Sequence, residues 1–418
     1  MNRLKFVLES RGIWNSAERL RQVVSRFGPT ASRMERRLAA YSDIVAAHGS
    51  RPTLPITARV MDRNPAVARR LLDRGAELCV HALVHNDLSR LAPEEQDRQI
   101  KAACALFQKH GIAYSGFRSP YLKYNKATLN VVEAAGFDYD SNLPFYWNPR
   151  GSLSGLGPRE KDGLDRGLAF YSPSTRATDR SLPRLIGKLV EIPVSLPDDE
   201  ILLDRMNLPP ESVRQTWLEM LELASREGDL LTLQLHPERL EILNSALESL
   251  LDSAASLGTV WLATLGEISK WWRSRVSANL AVTPVGAGEY VINGSRTDSE
   301  MSVYEPSSGR RVGLAPGGRV TAARKPLIGL DPKTDPSFAI KIREMGYFFE
   351  YARDRAAYPL FFDATNLPSG SLEEAIRKCD SPLVKESVWP GPHKSALSVT
   401  GDIDCLTLGD FLRRTWEG

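Results

Sequence analysis

Two histidines four residues apart, His81 and His85, sit in the segment Cys79-Val80-His81-Ala82-Leu83-Val84-His85-Asn86-Asp87-Leu88. On a helix or helical turn this spacing projects both imidazoles from one face, close enough to share one metal ion. Two imidazoles do not complete a site, so a carboxylate has to come from elsewhere in the chain. Asp402 and Asp404 flank a single apolar residue at the end of the run Ala396-Leu397-Ser398-Val399-Thr400. Alternation along an extended segment turns both to one face. Two like charges placed so closely are costly unless a cation or a proton lies between them. Arg118, in Gly116-Phe117-Arg118-Ser119-Pro120-Tyr121, taken alone reads as a loop arginine paired to a carboxylate. His236, after the apolar run ending at Leu235, taken alone reads as a structural histidine.

These residues share a position. Helices are expected over 30–49, Pro65–Arg74, Pro93–His110, Lys126–Ala135, Pro210–Glu227, Glu238–Leu257 and Glu267–Arg273, from apolar spacing and closing glycines. Between them lie short apolar runs: Thr53–Val60, Ala76–Val80, Tyr114–Arg118, Phe137–Asp140, Leu189–Val194, Leu230–Leu235 and Val260–Thr264. Strands alternating with helices at this spacing predict parallel βα units, in a barrel or a doubly wound sheet. In such folds ligands gather at the carboxyl ends of the strands. The pair His81/His85, Arg118, His236 and the pair Asp402/Asp404 all fall at such ends. A Gly- and Arg-rich insertion occupies roughly 150–185. Residues 277–335 read as a small β-rich element, and 336–418 as an α/β segment ending in the strand before Asp402.

With 418 residues, 42% hydrophobic and 25% charged, the composition is that of an ordinary folded protein. A formal charge of +3 gives no case for nucleic acid or for an anionic membrane. No apolar run reaches the ~20 residues needed to cross a bilayer, so no stable membrane insertion is expected. The apolar stretch at the start is too short for a secretory signal. Four scattered cysteines suit free thiols in a reducing compartment, and together these features predict a cytoplasmic protein.

Read in order, Thr53-Leu54-Pro55-Ile56-Thr57, Gly75 through His85, Gly116 through Tyr121, Gly136-Phe137-Asp138-Tyr139-Asp140-Ser141 and Leu235-His236-Pro237 resemble the polysaccharide deacetylase family (the NodB-homology domain, carbohydrate esterase family four). The resemblance covers roughly residues 28–275. It implies a distorted (β/α) barrel over 1–276 and hydrolysis of an N-acyl group, most simply N-acetyl, from an amino sugar in a polysaccharide or its lipid- or nucleotide-linked precursor. The family's first motif, a strand ending in an aspartate pair, is missing where it belongs: Leu20 through Gly28 contains no acidic residue. The strand before Asp402 and Asp404 has the missing character, so a circularly permuted barrel is expected, with 336–418 returning that strand.

Carried over residue by residue, the family roles make Asp404, His81 and His85 the ligands of a divalent metal, zinc or another transition ion such as Co2+. Asp402 becomes the general base, Arg118 holds a carboxylate in place and His236 is the general acid. The Tyr121 backbone N–H would face the oxyanion. Asp198 or Asp199 is a candidate partner for Arg118, and Tyr121, Tyr124, Tyr146 and Trp147 are candidate surfaces for the sugar. Two other readings stay open: an amidohydrolase for a small non-carbohydrate amide, and a binding-only relative without turnover.

Overall fold

The computed structural model of the protein describes residues 26–294, 298–306, 308–363 and 372–417. The first 19 residues and most of the acid-free stretch 20–28 lie outside them.

The centre is a curled sheet of nine strands. Eight are labelled here: β1 (Thr53–Ile56), β2 (Glu77–Val80), β3 (Gly116–Phe117), β4 (Tyr139–Asp140), β5 (Leu189–Glu191), β6 (Leu230–Gln234), β7 (Val260–Leu262) and β8 (Ser395–Thr400). The order is β6-β8-β1-β2-β3-β4-β5, with Arg184–Ile186 antiparallel on the end and β7 paired to β8. Every pairing among the eight is parallel. Parallel strands covered on both faces are buried along their whole length rather than alternately, as β1, β6 and β8 are.

The strand nearest the chain end is therefore interior to the sheet. One edge of β8 runs along β6, from Leu230↔Ala396 to Gln234↔Thr400. Its other edge is shared: β7 pairs with Ser395–Leu397, and β1 takes over at Thr53↔Thr400. Beyond β8 the contact with β1 continues through Gly401 N–H to Thr53 O (3.1 Å) and Ile403 N–H to Pro55 O (2.7 Å). From below, the buried Tyr41 hydroxyl of helix α1 (Ser32–Ala47) donates to Thr400 O at 2.9 Å.

The expected helices form within a few residues of their predicted ends. Two local expectations fail. Thr53–Val60 is a strand only to Ile56; helix α2 (Ala58–Arg63) follows at once, because its first N–H groups bond to Ala82 O and Leu83 O, both at 3.0 Å. The strand expected over Leu189–Val194 breaks at Ile192-Pro193, and Val194–Leu196 joins a separate small sheet with Pro144–Tyr146. The insertion at 150–185 contains the helix Pro158–Tyr171, which places small Gly163 against the Arg205 backbone.

Between Leu280 and Glu386 the chain forms three small three-stranded sheets. Two are antiparallel, and the third sets Ile328–Leu330 parallel between Phe349–Tyr351 and Leu360–Phe362. Arg343 bridges this region to the barrel, donating to Arg275 O (2.8 Å) and pairing with the buried Glu386 (2.7 Å). No helix among the described residues is long and apolar enough to cross a membrane.

Candidate metal centre

The histidine pair is not on a helix. His81 follows β2 directly, and the chain turns sharply at Ala82, a non-glycine residue with φ +60°. This left-handed conformation costs a non-glycine residue on the order of 1–3 kcal/mol, and such strain gathers at functional sites. The start of α2 holds the loop: the Ala58 and Arg59 N–H groups donate to the Ala82 and Leu83 carbonyls. A strained loop, not an i,i+4 helix face, brings the imidazoles to a centroid separation of 5.2 Å.

Asp404 meets both. Its Oδ1 lies 3.5 Å from His81 Nε2 and its Oδ2 3.2 Å from His85 Nε2. One ligand atom from each of the three residues can be chosen so that all lie within 4.8 Å of one another. Tetrahedral zinc with bonds of about 2.0–2.2 Å needs ligand atoms roughly 3.4 Å apart, so the spacing fits. The polar atoms fit as well. His81 Nδ1 donates to Arg118 O (2.9 Å), which fixes the tautomer and leaves Nε2 a lone pair; that buried Nε2 has no hydrogen-bond partner, nor has Asp404 Oδ1. Burial and the nearby Arg414 guanidinium push His85 well below the usual histidine range, toward the neutral form a metal requires. Asp404 is held well below the usual carboxylate range: burial opposes this, but His85 and Arg414 outweigh it.

Asp402, on the same face, is fixed by Arg118. The guanidinium is fully buried and donates from Nη1 to Asp402 Oδ1 (2.9 Å) and Thr400 Oγ1 (2.8 Å), from Nη2 to Ser141 Oγ (2.9 Å) and from Nε to Ser141 O (3.2 Å). Asp402 Oδ2 remains 3.8 Å from His81 Nε2, with the Gln234 amide at 3.4 Å. Behind Arg118, Ser119 N–H donates to Asn142 Oδ1 (2.6 Å), and Asn142 Nδ2 donates to Asp140 Oδ2 (2.8 Å). Asp140 and Glu191 face each other in the core, and burial plus the Glu191 charge push Asp140 well above the usual range. A proton on Asp140 removes the like-charge repulsion.

The Arg118 partner is thus Asp402, not Asp198 or Asp199. Asp199 instead serves His236, accepting from its Nδ1 (2.8 Å) and backbone N–H (2.9 Å) while Arg239 Nη1 lies 2.8 Å from Oδ2. Burial opposes charging of His236, but the Asp199 carboxylate wins and raises it well above the ordinary value. Asp199 itself is shifted below its usual range, since Arg239 and His236 outweigh its burial. Next to it, burial and the Asp199 charge push Asp198 up to about 7. His236 is close enough to act electrostatically on His85.

Tyr121 and Leu122 both have positive φ (+60° and +54°), a second strained bend at the cleft, and the Tyr121 ring meets His85 edge-on at 4.3 Å. Trp147 is not a sugar-stacking surface. It is 1% exposed, donates from Nε1 to Ser195 Oγ (2.9 Å) and packs on Phe145 at 5.1 Å. Tyr124 and Tyr146 are half-buried. Two site residues had no signal in the sequence. Gln234 lies within an apolar strand, and Arg414 reads as one of several basic residues in an amphipathic helix.

Imidazoles and a carboxylate gather around one point, beside a second anchored carboxylate and a carboxylate-backed histidine, and make a candidate metal centre at the carboxyl ends of the parallel strands. Residues 28–139 match the model of the polysaccharide deacetylase family, the family that the motifs resemble. Peptidoglycan deacetylase-like protein FGM2 of Gibberella zeae is 32% identical over 87 residues, which are 20% of this chain and 25% of that one. The chain therefore spans about a quarter of the length of that relative. Among solved structures, a protein assigned as a polysaccharide deacetylase from Mycobacterium smegmatis superposes with a TM-score of 0.45 at 18% identity, over 60% of this chain and 81% of that one. Another so assigned, from Pseudomonas aeruginosa, gives 0.44 at 18%, over 57% and 72%.

Proposed function

We propose that this protein is a metal-dependent N-deacetylase acting on an amino sugar of a polysaccharide or of its lipid- or nucleotide-linked precursor. The observation that carries the reading is the convergence of His81, His85 and Asp404, from β2 and the segment after β8, between Asp402–Arg118 and His236–Asp199. His81, His85 and Asp404 would hold a divalent ion, with zinc the ion best matched to two imidazoles and one carboxylate. When bound, such an ion supplies Lewis acidity to the acyl carbonyl and lowers the pKa of water.

The chain's own groups would do the rest. Arg118 occupies Oδ1 of Asp402, so Oδ2 is the oxygen left to take a proton from the attacking water. Asp199 binds Nδ1 of His236, which leaves the Nε2 side of a protonated imidazole to deliver a proton to the leaving amine. The backbone N–H of Tyr121, in the bend of positive φ, would donate to the developing oxyanion. Tyr121, partly exposed beside the centre, would be the aromatic contact for the substrate. The interior place of β8 supports a permuted arrangement, in which a strand near the chain end supplies the acidic motif absent before α1.

The test is product analysis of the full chain, with added zinc, on N-acetylated oligosaccharides and on small acyl amides. Acetate release from the oligosaccharides, abolished in His81→Ala, is expected. Release from the small amides alone would replace the carbohydrate reading, and binding without release would identify an inactive relative.

A further inference from the structure

The helix α3 (Leu408–Glu417) lies against the metal centre and is tightly anchored. Thr407 and Asp410 exchange hydrogen bonds across its first turn, and Leu408 N–H bonds to Gly28 O (2.8 Å). Arg63 of α2 donates to Asp410 (2.7 Å) and to Glu417 (3.2 Å), tying both ends. Arg414 follows Asp410 by four residues, on the same side of the helix. Its Nη1 donates to Asp404 Oδ2 at 2.7 Å, and its Nη2 lies 3.3 Å from the Tyr121 hydroxyl and 3.5 Å from His85 Nε2. The side chain is 27% exposed, and its guanidinium stands 5.8 Å from the Tyr121 ring centre.

Two of the three candidate ligands thus face a permanent cation. A lone pair that accepts from a guanidinium is not free for a metal, and the Arg414 charge cancels the only negative charge in the ligand triad. Resting on the metal reading above, we propose that Arg414 is a further positioning residue of the site. It holds Asp404 by Oδ2, leaving the unpartnered Oδ1 for the ion, and it competes with the ion at His85. The affinity of the site is thereby set below what two histidines and an aspartate would otherwise give, since a fixed positive charge next to a dication is repelled.

Titration of the full-length wild type and R414M with zinc alone, against a chromophoric chelator, tests this, with thermal melts to confirm folding. R414M should bind zinc tighter by about tenfold or more, on the scale of changes beside a metal site. R414K, which keeps the charge without the fork, should lie between the two. R414Q reads the same loss of charge should R414M fail to fold. Equal or weaker binding by R414M, with wild-type binding intact, would overturn the competition and leave the metal site standing. No binding by either protein would overturn the metal reading and this inference with it.

Discussion

The two sides of the cleft treat histidine in opposite ways. On one side His85 is buried next to Arg414 and kept neutral, while His81 presents a bare Nε2. On the other, His236 is equally enclosed yet favours the charged form, because Asp199 lies 2.8 Å from its Nδ1. Burial alone pushes every imidazole toward neutrality, so the position of one carboxylate decides which histidine can ligate and which can carry a proton. Asp404 faces the Nε2 atoms of its histidines, whereas Asp199 backs the Nδ1 of His236.

The contrast can be broken from either side. The largest effect is expected from His81→Ala, which removes a ligand and the bond to Arg118 O; bound metal and acetate release should both fall by at least ~10³-fold, read by elemental analysis and turnover. Asp199→Asn should leave metal content unchanged while lowering kcat by ~10²–10⁴-fold, the usual contribution of a positioned acid. A parallel loss of metal would show that the two sides are not independent.

The pH dependence follows with a definite sign. The folded His236 is raised above its unfolded value, so the His236–Asp199 pair contributes stability that is full below about pH 6.5 and is lost as pH rises through the folded value. The basic limb of the rate profile should accordingly lie well above pH 6.5 and move down toward it in Asp199→Asn. An unmoved limb would assign the proton to another group.

Smaller effects sharpen the picture. Arg118→Met leaves Asp402 buried without its partner and should destabilise the fold by ~3–5 kcal/mol, measured by denaturant titration. Trp147→Phe loses one buried hydrogen bond to Ser195 and should cost only ~1 kcal/mol with KM unchanged. A rise in KM would return Trp147 to the substrate.

The motifs at 81–85, 116–121 and 235–237 were legible because each follows its strand within one or two residues, so chemistry and scaffold are written together. The acidic pair was legible for the same reason, although its strand joins the sheet across more than 300 residues of sequence. What stayed hidden depended on tertiary contacts. The loop after His81 reads as helical by spacing, but the N–H groups of α2 bind its carbonyls and Ala82 takes a positive φ. Trp147 looks like a surface for sugar until Ser195 is seen to accept its N–H. Asp198 and Asp199 are adjacent in sequence, and only the reach of His236 and Arg239 separates their roles. A basic residue in the last turn of a helix ordinarily complements the helix dipole, so nothing marked Arg414 as facing Asp404 and His85.

The central claim is that Asp404, arriving from the segment after β8, completes the centre with His81 and His85. Zinc titration of the purified full chain against Asp404→Asn tests it most directly. One equivalent bound by the wild type, with affinity reduced ~100-fold or more in a variant of unchanged melting behaviour, is the predicted result. Equal zinc binding by the two proteins would contradict it.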